Sequence, residues 1–279
     1  MIIGFDHVVI AVRDIAVGVA AYEMLLGRKA STPHEKDGVA SALIATSNLS
    51  VELMAPVGKS DGAARLRAAL EDGGEGLKSL VFAVADIEQI HRRCERVGLK
   101  PEEIRLGPPA SSRQTGGRLE AGGPMWRSFR ANSERTHGVR LFFLQRAEPL
   151  KPEIGNVTGL DHIVIRTPDA ERAAALYGAR LGLDIRLDRD VMGRRLMFFR
   201  CGDAIVEIIH DRALSDGRDK LWGLSWRVAN ADAERARLAA AGLEVSEVRA
   251  GMKTGTRVFT VRNGTCGVPT LMVEASRRD

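Results

Sequence analysis

The stretch "GFDHVVIAVRD" (residues 4–14) returns 155 residues later as "GLDHIVIRTPD" (residues 159–169). Each copy places an Asp-His pair at the start of an apolar run, with the histidines at His7 and His162. Apolar runs of this length that are rich in Val and Ile are typical of buried strands. The same strand, with the same polar pair at its start, is therefore present twice.

The register of this repeat continues well beyond the two strands. It aligns Glu52 in "SVELM" with Glu207 in "IVEII" without a gap, which indicates an internal duplication of the chain. Each half also divides again, because "LKSLVFAVADIEQIHRRCERVGL" (77–99) parallels "LWGLSWRVANADAERARLAAAGL" (221–243). The sequence thus contains four copies of one unit.

Each unit begins with a predicted strand that is followed by a helix. A residue that suits a helix N-cap follows every strand, and a glycine that suits a left-handed C-cap follows every helix. These positions are Asp14, Asp86, Asp169 and Asn230 at the helix starts, and Gly27, Gly98, Gly182 and Gly242 at the helix ends. Three short strand-like runs come next, so the unit is βαβββ. Strands that run together after a single helix predict an α+β fold rather than a doubly wound parallel sheet.

The boundary between the two halves is predicted at "EPLKPEIGN" (148–156), where two prolines and several polar residues indicate a linker. We therefore expect an N-terminal domain of two modules at residues 1–148. A C-terminal domain of two modules is expected at residues 156–279.

The composition restricts the classes of partner. The 41 Lys and Arg residues are interleaved with 36 Asp and Glu residues, which argues against nucleic-acid binding, and the net charge of +5 favours an anionic small substrate. Three cysteines without a CxxC motif indicate neither a disulfide framework nor a zinc knuckle. No run of 18 apolar residues is present, and the first strand begins close to Met1, so we expect no membrane span, no signal peptide and a cytoplasmic protein.

The repeated His and Glu residues have two interpretations. Glu52 and Glu207 both lie within apolar strands, where a carboxylate must be paired, ligated or protonated. A neutral imidazole and carboxylates could hold a divalent metal ion. Alternatively, both residues could be structural, since a duplication copies scaffold residues as faithfully as ligands.

The paired βαβββ units, with "DHVVIAV" (6–12) and "VELM" (51–54), resemble the vicinal oxygen chelate superfamily. This group includes glyoxalase I, type I extradiol dioxygenases, epimerases and bleomycin-resistance proteins. The resemblance implies that two modules pair into a cup-shaped half-barrel, twice in this chain, as in two-domain glyoxalase-like proteins. It leaves open whether adjacent modules pair or whether the first pairs with the fourth and the second with the third.

In this superfamily the metal ligands come from the first and last strands of each module. The resemblance implies that His162, Glu207 and Glu274 hold a divalent ion (Zn, Ni, Mn or Fe), with Glu207 and Glu274 as the catalytic carboxylates. His7 and Glu52 are the weaker candidates, because Ser79 and Gln145 occupy the other two ligand positions of the first half. In the second half, Gly223 occupies one ligand position. Trp222, Trp226 and Arg195 are the candidate substrate pocket, although we expect ordinary core packing for at least one tryptophan.

We therefore expect the second Asp-His pair to be functional and the first to be largely inherited scaffold. The function that the resemblance favours is a metal-dependent lyase or isomerase acting on a small oxygen-rich or carbonyl substrate. The main alternative is a metal-free protein that binds or sequesters a small molecule, and an extradiol-type dioxygenase is a third. A small molecule is the expected partner, without nucleic acid or membrane, and a homodimer remains an open alternative.

Overall fold

The computed structural model of the chain describes residues 1–109, 123–149, 151, 153 and 155–275, together with the backbone of residues 113–115 and 118–120. The first half contains three helices, which are α1 (Ile15–Leu26), α2 (Asp61–Gly73) and α3 (Ile87–Arg96). Its strands are β1 (Ile2–Ala11), β2 (His34–Lys36), β3 (Val39–Ala45), β4 (Ser50–Pro56), β5 (Gly76–Val84), β6 (Arg105–Leu106), β7 (Arg113–Thr115), β8 (Arg118–Glu120), β9 (Trp126–Arg130) and β10 (Arg140–Arg146).

The second half repeats this order of elements, without described counterparts of α2, β7 and β8. Its helices are α4 (Ala170–Ala174), which continues as a π-helical segment (Ala175–Arg180), and α5 (Ala231–Ala240). Its strands are β11 (Val157–Thr167), β12 (Asp184–Val191), β13 (Arg194–Cys201), β14 (Ala204–His210), β15 (Lys220–Val228), β16 (Arg249–Ala250), β17 (Arg257–Val261) and β18 (Thr270–Glu274).

Each half forms one eight-stranded sheet that is curled into a half-barrel. The first sheet has the order β2-β3-β4-β1-β5-β10-β9-β6, and the second has the matching order β12-β13-β14-β11-β15-β18-β17-β16. The predicted fold of four βαβββ modules is confirmed, and the pairing left open by the sequence is between adjacent modules. The small hairpin of β7 and β8 lies in the glycine-rich stretch 113–126, which is described only in part.

The predicted helix caps are confirmed at all four positions. Asp14 accepts hydrogen bonds from the backbone of Ala16 and Val17, and the other three caps accept one bond each. The four glycines that follow the helices all have positive φ, as a left-handed cap requires. The predicted linker falls between β10 and β11, but residues 150, 152 and 154 lie outside the described part, and the domain boundaries stay a prediction.

The helices pack against one face of each sheet around a continuous core. Tyr22 and Tyr177 are equivalent in the repeat and completely buried, as are Phe82 and Trp226. Burying a side chain of this size contributes on the order of 2–3 kcal/mol. This leaves the concave face of each sheet free of helices from its own modules, with one exception.

The exception is α2, which joins β4 to β5 in the first half. Equivalent residues of the two halves are 155 positions apart at Glu52 but only 144 positions apart at Leu77. The first half is therefore longer at this connection. In the second half the equivalent connection, residues 211–219, contains no helix. Among the described residues, no helix is long and apolar enough to cross a membrane.

Candidate functional site

A β-bulge explains why each half carries an Asp directly before the His. On β1, Phe5 pairs with Phe82 and His7 pairs with Val81, so Asp6 is an extra residue that faces no partner on β5. A bulge re-aims side chains locally, and Oδ1 of Asp6 lies 2.6 Å from Nδ1 of His7. The bulge is repeated on β11, where Oδ2 of Asp161 lies 2.9 Å from Nδ1 of His162.

The second nitrogen of each imidazole faces a glutamate on the neighbouring parallel strand. Nε2 of His7 lies 3.3 Å from Oε2 of Glu52, and Nε2 of His162 lies 3.1 Å from Oε2 of Glu207. Each histidine is therefore held between two carboxylates. The structure brings together the His and Glu residues that the repeat singled out, in both halves.

These contacts set the charges of the group in the first half. Burial disfavours ionisation of Asp6, but hydrogen bonds from His7 and Arg146 outweigh this effect and lower the pKa of Asp6. Arg146 donates two of these bonds, from Nε at 2.6 Å and from Nη2 at 2.7 Å. Burial also disfavours the imidazolium form of His7, but hydrogen bonds to Asp6 and Glu52 outweigh this and raise its pKa to about 9. His7 is therefore positively charged at neutral pH, with a proton on each ring nitrogen.

The structure separates Glu274 from this arrangement, so the predicted cluster of His162, Glu207 and Glu274 is wrong. Oε2 of Glu274 accepts a hydrogen bond of 2.7 Å from the backbone of Ala231 at the start of α5. Gln145, its equivalent in the first half, accepts one of 3.1 Å from the start of α3. Both residues point to the helix side of their strands, because side chains alternate between faces. Among the described residues, no group of three or more His, Cys, Asp or Glu could hold a metal ion.

His162 has one more hydrogen-bonding neighbour than His7. Oγ of Ser225 lies 2.6 Å from Nε2 of His162, in addition to the contacts with Glu207 and Asp161. In the first half the equivalent residue is Val81, which cannot form a hydrogen bond through its side chain. The pKa of His162 is likewise raised to about 9, because its carboxylate partners outweigh the effect of burial.

The predicted substrate pocket of Trp222, Trp226 and Arg195 does not form. Trp226 is completely buried in the core. Trp222 is half-exposed beneath the guanidinium of Arg166, which lies 5.7 Å from the ring centroid. Arg195 binds Asp188 through two hydrogen bonds of 2.7 and 2.8 Å and lines a separate depression of about 400 Å³.

A cavity of about 890 Å³ lies over the concave face of the first sheet, which we call the N-terminal cup. His7 and Glu52 lie on its floor, and apolar side chains such as Val81, Phe142 and Leu144 form part of its wall. Helix α2 contributes to the opposite wall. The resemblance predicts a cup in each half but not the helix over the first one. The additional residues between Glu52 and Leu77 are the sequence feature that marks this helix.

Two family models match the chain. The glyoxalase-like domain model covers residues 5–182, and the model of the glyoxalase/bleomycin resistance protein/dioxygenase superfamily covers residues 161–260. A search of curated proteins found no match to the sequence.

Several solved structures share the fold at low sequence identity. A variant of 4-hydroxymandelate synthase from Streptomyces coelicolor superposes with a TM-score of 0.73 at 13% identity, over 100% of this chain and 95% of that chain. The Mn(II)-bound glyoxalase from Novosphingobium aromaticivorans gives 0.66 at 16% identity, over 98% and 82% of the two chains. A halotolerant catechol dioxygenase gives 0.63 at 13% identity, over 99% and 87%.

The side chains of the N-terminal cup do not fit a resident metal ion. Catalytic metal sites in proteins usually have about three protein ligands. His34, Asp37 and Asp61 also line the cavity, but among the described residues they form no group of three or more metal-binding side chains with His7 and Glu52. The residues that pair with the strand of His7 on this face include Ser79 and Val81, which offer no imidazole or carboxylate.

Proposed function

Because the chain belongs to the glyoxalase-like domain family, we propose that its N-terminal cup binds a small organic molecule and transfers a proton on it without a resident metal ion. The reaction class is isomerisation or elimination next to a carbonyl group. The fold by itself does not define the reaction, since one fold supports many chemistries. The proposal therefore depends on the residues of the cup.

The observation that carries the proposal is the chain of contacts Asp6–His7–Glu52 on the floor of a large cavity. A volume of about 890 Å³ lies within the range of small-molecule sites, which combine apolar walls with a few polar groups. Asp6 is almost completely buried, whereas the side chain of Glu52 is 22% exposed. Of the two carboxylates, Glu52 is the one that a ligand in the cavity can reach.

The contacts suggest a different role for each residue. Glu52 would accept a proton from the carbon next to the carbonyl, and the imidazolium of His7 would stabilise the negative charge that develops on the carbonyl oxygen. Asp6 would keep His7 oriented and charged, and Arg146 would hold Asp6 in its ionised form. These last two are positioning residues, because neither needs to touch the substrate.

The C-terminal pair then has a structural role, which reverses the expectation from the sequence. His162 already has three hydrogen-bonding neighbours in Asp161, Glu207 and Ser225. The hydroxyl of Ser225 would occupy the side of Nε2 that a ligand has to approach, whereas the equivalent Val81 leaves that side of His7 open to the cavity.

Deuterium exchange tests the proposal. The protein is incubated in D₂O with a panel of 2-oxo acids and α-hydroxy ketones, and the loss of the proton next to the carbonyl is followed by NMR. We expect exchange with the wild type, a loss of about 100-fold or more in Glu52→Gln, and no loss in the matched variant Glu207→Gln. Elemental analysis of protein purified without chelator should find substoichiometric metal. A full equivalent of metal that disappears in Glu52→Gln would instead support the metal-dependent lyase or isomerase.

The second candidate is a metal-free binding protein of the resistance type. It is favoured by the presence of the same Asp–His–Glu contacts in both halves, because a structural role would explain both copies. Saturable ligand binding without exchange in the wild type would favour this candidate. The dioxygenase alternative lacks support, because Ser79 stands where its second histidine would be expected.

A further inference from the structure

We propose that Arg65, Lys78 and Arg140 form an oxyanion subsite in the N-terminal cup, which binds a carboxylate or phosphate group of the ligand. This inference rests on the proposed ligand-binding function of the cup and names the class of ligand. The three side chains come from α2, β5 and β10, and all three line the same cavity.

None of the three cations has a side-chain hydrogen bond or an ion pair with any described residue, and Nε of Arg140 is buried without a partner. Arg28, Arg130 and Arg172 also have a buried Nε without a partner, but each pairs another guanidinium nitrogen, as Arg130 does with Glu102. Arg140 differs because none of its guanidinium nitrogens has a partner among the described residues. A buried guanidinium nitrogen without a partner is costly, and an oxyanion in the cavity would supply the missing acceptor.

Electrostatics of the cup point in the same direction. Burial lowers the pKa of Arg140, and the nearby guanidinium groups of Arg130 and Arg65 lower it further, against the opposite effect of Glu102. Burial also lowers the pKa of Lys78, against the opposite effect of Asp72. Arg140 is thus a desolvated cation beside like charges, and an anion that binds next to it would be stabilised.

The duplication provides an internal comparison. Lys78 is the extra residue of a second bulge on β5, where Val9 pairs with Ser79 and Ile10 with Leu77. The same bulge on β15 holds Trp222, and the position equivalent to Arg140 holds Pro269. Arg65 has no equivalent, because it lies on α2. The second half therefore has none of the three cations, and the subsite is specific to the N-terminal cup.

The position of the subsite relative to Glu52 limits the size of the ligand. Glu52 on β4 lies opposite Val9 on β1, and both Val9 and Arg140 lie opposite Ser79 on β5, so the backbones of Glu52 and Arg140 are three strands apart. Three strand spacings are about 14 Å, and the long side chains of Glu52 and Arg140 shorten this span. A small organic acid or phosphate ester could therefore contact the subsite with its charged end while its reacting carbon lies beside Glu52.

Calorimetry with the full-length protein tests the subsite directly, with inorganic phosphate and succinate as probes. We expect saturable binding of at least one probe in the millimolar range or tighter, weakened about tenfold in Arg140→Gln and in Lys78→Met, since each removes one charge-assisted contact. The control Arg262→Gln removes an exposed arginine of the second half that is paired with Glu244, and should bind like the wild type. Binding of phosphate alone would identify a phosphate ester as the ligand, and binding of succinate alone a carboxylic acid.

Two results would overturn the subsite: no saturable binding of either anion, or equal binding in the wild type, Arg140→Gln and Lys78→Met. Circular dichroism establishes that each variant is folded. If Arg140→Gln does not fold, Arg65→Gln on helix α2 replaces it in the same binding measurement. Glu52→Gln separates the two proposals, because it should abolish proton exchange and retain anion binding. If the wild type binds anions but catalyses no exchange, the subsite is supported and the proton-transfer proposal is wrong. If the wild type catalyses exchange and Arg140→Gln binds anions as tightly as the wild type, only the subsite is wrong.

Discussion

The hydroxyl oxygen of Ser225 lies 2.6 Å from Nε2 of His162. The equivalent residue in the first half is Val81, so the corresponding nitrogen of His7 has no such partner. This single difference separates two otherwise similar Asp–His–Glu groups. His162 has a third hydrogen-bonding neighbour, whereas His7 lines the cavity next to the apolar side chain of Val81.

Replacing Ser225 with Ala should therefore reduce stability and leave proton exchange unchanged. The variant loses one hydrogen bond to a charged imidazole, for which we expect a cost of about 1–3 kcal/mol in the free energy of unfolding. Urea denaturation measures the cost, and NMR measures the exchange. A clear loss of exchange in Ser225→Ala would show that the second half takes part in the reaction.

Glu274 and its equivalent Gln145 make a second prediction possible. Because both side chains accept a backbone hydrogen bond at the start of a helix, Glu274→Ala should lower the free energy of unfolding by about 1 kcal/mol, as loss of an N-terminal cap does. Glu274→Gln should retain most of this stability, since the first half uses Gln for the same purpose. Both are measured by urea denaturation. Bound metal that is lost in Glu274→Ala would contradict the capping role.

Most of the fold could be predicted from the sequence because its signals are local and occur more than once. The capping residues Asp14, Asp86, Asp169 and Asn230 each mark the start of a helix, and the repeat register shows that their surroundings are the same. Which modules share a sheet could not be predicted, because either pairing buries the same apolar strand faces. The antiparallel contact between β1 and β5 that decides the pairing depends on long-range packing.

The site was harder to predict, and the reason is the two-residue period of a strand. The resemblance places Glu274 in the cup, but an odd offset along a strand moves a side chain to the other face of the sheet. Conversely, a strictly alternating strand would turn Asp6 away from His7, and only the bulge brings their side chains together. The cavity depends on α2, which has no counterpart in the repeat.

The raised pKa values of His7 and His162 predict how stability depends on pH. Both have a folded-state pKa of about 9, above the value of 6.5 expected in the unfolded chain. Their contribution is therefore fully present below pH 6.5 and is lost as the pH rises through 9, because the folded state binds more protons in this window. The decline should reach about 1.4 kcal/mol per pH unit for each histidine.

Urea denaturation at several pH values between 6 and 9 measures this decline. His162→Gln should roughly halve the slope, since it removes one of the two titrating groups, and His7→Gln should do the same. Cys94, whose pKa burial raises to about 12, adds to the decline only toward pH 9, because its thiol then ionises in the unfolded chain and not in the folded one. The comparison of slopes is therefore made between pH 6.5 and 8. A stability that is constant from pH 6 to 9 in the wild type would mean that the two imidazoles are neutral in the folded protein.

Asp6 provides the sharpest test of how the N-terminal group works. In Asp6→Asn a neutral hydrogen-bond acceptor replaces the carboxylate beside the imidazolium of His7. Less of the effect of burial is then offset, so the pKa of His7 should fall. Nitrogen-15 NMR of the imidazole measures this pKa, and Asp161→Asn is the matched variant that should lower the pKa of His162 alone. If Asp6 positions His7 as proposed, the turnover number for exchange should fall in Asp6→Asn with little change in KM, because the substrate does not contact Asp6. An unchanged pKa of His7 together with unchanged turnover would show that Arg146 and Asp6 are a structural ion pair that does not act through the histidine.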